Sequence, residues 1–143
     1  FKFGDYENYF ETITLLGLLE FIDEDESINL INNLYSMLKP GGRIILTTVN
    51  FRSGITLLEK IQSLITNVKY SNQFVTKHNK DTLESLFKKT KFNDFKIQKY
   101  MNFGIFFSVF GHKISEHIQK IIGIIFFNFF GYLLFGTLNK QKE

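Results

Sequence analysis

Apolar residues recur at two different intervals along this chain, and the alternation of the intervals predicts its elements. Glu11 to Leu16 is a short run, apolar on both faces at its end, as a buried parallel strand should be. Ile28, Ile31, Leu34, Tyr35 and Leu38 then repeat at helical spacing, which predicts a helix from Asp25 to Leu38 with these residues toward a sheet. Arg43 to Val49 is strongly β-favouring. Strand, helix and strand make one crossover unit of a parallel sheet. Asp23 can cap the helix, Glu26 three residues on can return the bond, and the surrounding acids suit the positive end of the helix dipole. Lys39 complements the negative end. Lys39-Pro40-Gly41-Gly42 is expected to stop the helix in a tight turn, with a positive φ at Gly41 or Gly42.

Upstream, Phe1-Lys2-Phe3 reads as the tail of a strand, broken by Gly4-Asp5, and Tyr6 to Phe10 reads as a polar connection. Gly17 lets the backbone leave the sheet sharply or approach a ligand closely. Downstream, Asn50 to Gly54 is a loop. Ile55 to Val68 reads as a helix, and Tyr70 to Asn79 as a surface loop. A further helix capped by Asp81 runs to about Lys91. Phe92 to Tyr100 alternates apolar and polar, the mark of a half-exposed strand.

The end of the chain admits more than one reading. Ile121 to Asn139 holds no charge over nineteen residues, close to the length of a bilayer span. Asn128 and three glycines interrupt it, which favours a division. His112 to Phe127 then forms an amphipathic helix on Ile114, Ile118, Ile121, Ile122 and Ile125. Gly131 to Lys140 forms a last strand beside Phe92 to Tyr100. A helix in the membrane surface and a true span remain alternatives. Phe103 to Phe110 adds aromatics suited to an apolar pocket or to lipid.

Composition narrows the chemistry. Without Cys there is no disulfide framework, Cys-based zinc site or thiol nucleophile. The net charge of +3 is uneven: through Glu26 eight acids accompany one Lys, and from Ser27 on sixteen basic residues accompany six acidic. No basic-aromatic motif for RNA or DNA is present, so no nucleic-acid partner is expected. No histidine pair or carboxylate stands at metal-ligand spacing, and no metal site is expected. His78 reads as a solvated loop histidine, with a general base for an oxygen acceptor as the alternative. Glu20 can satisfy backbone donors at the helix start or serve a site; Asn50 and Arg52 are loop residues or acceptor contacts.

The order of these elements resembles the C-terminal two-thirds of class I S-adenosylmethionine-dependent methyltransferases of the small-molecule type. Leu38-Lys39-Pro40-Gly41-Gly42-Arg43 carries the resemblance most clearly. Phe10-Glu11-Thr12-Ile13 stands where the family usually has Phe-Asp and two apolar residues. Leu18-Leu19-Glu20-Phe21 matches its Leu-Glu-His segment, and Gly4-Asp5 looks like its third-strand end. Thr82-Leu83-Glu84-Ser85-Leu86-Phe87, followed by Lys91-Phe92, is similar to its last helix and Gly-Phe strand opening. Phe21 replaces the usual His and Lys91 the usual Gly.

The resemblance implies an α/β fold: a Rossmann-like, mostly parallel sheet with an antiparallel C-terminal strand pair. It makes residues 1–143 a partial methyltransferase domain, its N-terminal part missing, with an apolar helix-strand tail over 103–140. It implies S-adenosyl-L-methionine as cofactor, with Asp5 and Tyr6 toward the adenine and Leu15, Leu16 and Gly17 beside the methionine portion. Glu20, Asn50 and Arg52 are the expected acceptor-side residues; no catalytic residue is assigned. The family's glycine-rich loop and its ribose-binding acid do not occur in this sequence, so the fragment alone is expected to be incompetent. The acceptor is expected to be small, apolar or lipid-linked. The setting is expected to be cytoplasmic, with peripheral membrane contact through the C-terminal apolar segment. The alternative is a non-catalytic methyltransferase-like domain for binding or membrane contact.

Overall fold

The computed structural model describes residues 3–53, 73–100, 108, 110–126 and 131–142. The helix expected over 55–68 and most of the aromatic stretch 103–110 lie outside them. Four strands form one mixed sheet: β1 (Phe10–Leu16), β2 (Leu38–Val49), β3 (Asp94–Tyr100) and β4 (Leu133–Asn139). Their spatial order is β1-β2-β4-β3. β1 and β2 are parallel, and β4 is antiparallel to both β2 and β3. β1, β2 and β3 therefore all end at one edge of the sheet, here called the carboxyl edge, and β4 begins there. The expected pairing of the last strand beside Phe92 to Tyr100 is observed, with Tyr100 opposite Leu133.

Helix α1 (Glu24–Met37) crosses from the carboxyl edge back to the amino edge. Its start follows the sequence: the Asp23 carboxylate accepts from the Glu26 amide at 2.8 Å, and Glu26 accepts from the Asp23 amide at 3.4 Å. Its end does not. No turn separates helix from strand, because Leu38 already has extended angles and β2 starts there. Lys39-Pro40-Gly41-Gly42 is a bulge within β2. Pairing passes from Phe10 opposite Leu38 to Thr12 opposite Arg43, so the extra residues loop out. Gly41 takes φ +77°, and a Cβ on Gly42 would lie 2.9 Å from the Lys39 carbonyl oxygen. Lys39 pairs with Glu11 at 3.1 Å and leaves the helix end to Lys140. The Lys140 ammonium donates to the carbonyls of Leu38 at 2.7 Å and Tyr35 at 3.2 Å, and lies 4.8 Å from the centre of the Tyr35 ring.

Helix α2 (Lys80–Lys88) is capped by Asn79 rather than Asp81. The Asn79 side chain accepts from the amides of Asp81 and Thr82, and the Thr82 hydroxyl accepts from the Asn79 amide. α1 and α2 lie over one sheet face, where Ile31, Leu34 and Met37 join Leu83, Leu86, Phe87, Ile44, Leu46, Leu134 and Leu138 in the core. Phe87 meets Phe95 edge-on at 5.5 Å. A Cβ at Gly136 would fall 3.0 Å from Leu46 and 3.2 Å from Phe87, so a side chain at that point of β4 would have to displace them. β1 is half-exposed rather than buried, because it forms the sheet edge among the described residues and Thr12, Thr14 and Leu16 lie outside the α1–α2 core. Phe3 belongs to a 3₁₀ turn over Phe3–Tyr6 instead of a strand.

Helix α3 (His112–Phe126) joins β3 to β4. The helix and strand expected from dividing the apolar stretch are both present. Among the described residues, no helix is long and apolar enough to cross a membrane.

Candidate functional site

The carboxyl edge gathers most of the candidate residues. β1 delivers Leu15, which packs against the core, and Leu16, which is 70% exposed. Gly17 ends the strand with φ +60°, while its amide donates to the Thr47 carbonyl at 3.0 Å. A side chain at Gly17 would be strained there and would meet the Glu20 carboxylate at 3.4 Å. The result is bare backbone at the mouth of the β1–β2 pair.

Behind it is a buried polar cluster. Glu20 is 4% exposed and accepts from the Thr48 hydroxyl at 2.8 Å, so the acid ties the exit of β1 to β2. The Glu20 carbonyl accepts from the amides of Val75 and Thr76, and the His78 carbonyl accepts from the Phe51 amide at 2.9 Å. These bonds pin the segment before α2 across the strand ends. They also correct the expected place of His78, which is 1% exposed, with Nε2 at 3.3 Å from the Leu19 carbonyl oxygen. Its Nδ1 makes no hydrogen bond. Burial lowers its pKa below 6.5; the Leu19 carbonyl and the charges of Glu20 and Glu24 oppose the shift.

The loop after β2 is built on Asn50, which is itself buried. Its side-chain Nδ2 donates to the Gly131 carbonyl at 2.7 Å, and its side-chain oxygen accepts from the Arg52 amide at 3.2 Å. Asn50 therefore holds the loop, and Arg52 stands at the rim, 3.0 Å from Asp81 in an exposed pair. A cleft of about 300 Å³ opens here, lined by Asn50, Arg52, Asn79, Lys80, Asp81 and Lys99. Sequence reasoning placed only Asn50 and Arg52 there. The direction of β3 was the signal for Lys99: a strand aligned with β2 brings its last residues to the same edge.

Asp5 and Tyr6 are not brought to this edge. Tyr6 stacks on Phe10, the first residue of β1, with ring centres 5.8 Å apart. The amides of Asn8 and Tyr9 donate to the carbonyls of Ser36 and Met37 at the end of α1. Both residues thus sit by the amino edge, with the length of β1 between them and Gly17.

No protein-family model and no curated protein sequence matches this chain. Solved structures do. An S-adenosylmethionine-dependent methyltransferase from Archaeoglobus fulgidus aligns with a TM-score of 0.61 over 94% of this chain and 61% of its own, at 17% identity. Human N-acetylserotonin methyltransferase, solved with S-adenosylmethionine, gives 0.54 over 92% of this chain and 30% of its own, at 15% identity. Phosphoethanolamine N-methyltransferase 2 from Haemonchus contortus, also solved with S-adenosyl-L-methionine, gives 0.51 over 96% of this chain and 34% of its own, at 17% identity. The fold is like that of these S-adenosylmethionine-dependent methyltransferases. The chain spans 30% to 61% of the length of these three proteins.

Proposed function

We propose that this chain contributes to S-adenosylmethionine-dependent methyl transfer within a Rossmann-like domain, with the carboxyl edge as the reacting end. One observation carries the reading: the left-handed exit at Gly17 and the Asn50–Arg52 loop stand at the ends of adjacent parallel strands. Ligands of such sheets bind outside the strand ends. The residues suit part of a cofactor site, since Gly17 leaves room for close approach and Leu16 offers an exposed apolar surface. When bound, S-adenosylmethionine supplies a methyl group already activated by its sulfonium.

The protein's share is alignment and exclusion of water. Leu15, Leu16 and Gly17 would flank the cofactor's methionine portion. Glu20 acts through Thr48 by fixing the β1 exit, and Asn50 acts by holding Arg52 at the cleft. Arg52, with Lys80 and Lys99 around it, faces the acceptor, which we take to be small and lipid-linked, since this charged lining suits an ionic headgroup and not an apolar molecule. Asp5 and Tyr6 have no part, being at the other edge.

A second reading is a non-catalytic methyltransferase-like binding domain. Phe21 favours it: the residue in the position of the family's His is half-exposed and packs on Phe74, with ring centres 5.6 Å apart. Calorimetry separates the two, using the full product of the gene and S-adenosylhomocysteine. Saturable binding that Gly17→Val weakens by at least about tenfold supports the methyltransferase reading, through lost close approach. Absence of binding supports the second.

A further inference from the structure

β3 and β4 are antiparallel neighbours whose facing ends, Tyr100 and Leu133, meet at the carboxyl edge. A few residues suffice to join such a pair. Here residues 101–132 intervene, and they include α3. Its helix α3 has an apolar pattern like those of α1 and α2 but a different fate. Ile114 is 49% exposed, Ile121 45% and Ile124 74%. Ser115 is the buried residue of the helix among those whose side chains are described.

The exposed arc also carries charge. At helical spacing Lys113 and Lys120 border Ile124 and His117 on one side, with Ile121 and Ile114 next along the same arc. Glu116, the one acid of the helix, pairs with Lys120 at 3.1 Å. The cleft at the same sheet edge carries Lys80 and Arg52, the latter paired with Asp81. Isoleucines exposed on a helix and bordered by lysines match the interfacial helix that lies at the headgroup level of an anionic bilayer. The same surface suits a second copy poorly, because a two-fold contact would set cations against cations.

We propose that α3 docks the carboxyl edge onto an anionic membrane surface, with Ile114, Ile121 and Ile124 entering the headgroup layer and Lys113 and Lys120 facing lipid phosphates. The docking stands apart from the methyltransferase reading, since it needs no cofactor.

The test is flotation of the full chain with phosphatidylcholine vesicles, with and without phosphatidylglycerol. The chain is expected to float with the anionic vesicles, and raised salt is expected to weaken binding. Ile114→Glu, Ile121→Glu and Ile124→Glu together should lower the partition coefficient by more than about tenfold, with far-ultraviolet circular dichroism unchanged because these side chains are exposed. The chain has no Trp, so Ile121→Trp places a single reporter on the arc. Its emission should shift to the blue with anionic vesicles, while a single Trp at exposed Thr12 should not respond. Equal binding to neutral and anionic vesicles would overturn the proposal, as would an unresponsive Trp at 121. A concentration-dependent dimer that Ile121→Glu dissolves would overturn it too, by showing that a second copy covers the arc.

Discussion

Helices α1 and α3 are of similar length and both carry isoleucines at helical spacing, yet one is a wall of the core while the other leaves Ile114, Ile121 and Ile124 exposed. α1 lies over parallel strands it connects, and its Ile31, Leu34 and Met37 are buried against the sheet. α3 connects strands that already touch, so nothing in the chain's path carries it back across the sheet. Periodicity reports that a helix has an apolar face; connectivity decides what that face meets.

The comparison is sharpened first by deletion. Phe87→Ala, within the face covered by α1 and α2, should cost about 3–5 kcal/mol, read by urea unfolding. Ile124→Ala on α3 should change stability by no more than about 0.5 kcal/mol. Comparable losses at the two sites would mean that α3 is packed as tightly as α1. Overpacking comes next. Gly136→Val should cost about 1–3 kcal/mol, since its side chain would collide with Leu46 and Phe87; an unchanged midpoint would mean the face is loosely filled. Lys140→Met follows, at about 1–2 kcal/mol for bonds to the end of α1 lost with the charge.

The smallest effect is a pH slope. Burial holds the His78 imidazole below 6.5, so the unfolded chain binds a proton that the folded chain resists. The contribution is fully present above pH 6.5 and is lost as pH falls below it toward the folded value. His78→Gln should flatten that decline in stability measured across mildly acidic pH.

Local chemistry made the strands, the Asp23 cap and the division of the apolar tail legible. Each rests on residues close in sequence: the acids before Ile28, the β-branched run before Val49, the glycine at 131. The misjudged points depend on distant partners. Lys39-Pro40-Gly41-Gly42 reads as a turn until β1 is seen to run alongside it and turn it into a bulge. His78 reads as solvated until Glu20 and Phe51 pull its segment over the strand ends. Asp5 followed a motif that tells nothing of the strand end it serves, and Tyr6 settled on Phe10. Lys99 joined the cleft only through the direction of its strand.

The most direct test of the central claim is amide chemical-shift mapping with S-adenosylhomocysteine on the isotopically labelled full product of the gene. The account requires the largest shifts at Leu16 and Gly17, with smaller ones through Asn50–Arg52 and none at Asp5 or Tyr6. Shifts centred on the amino edge around Tyr6 and Phe10, or none anywhere at saturating ligand, would contradict it.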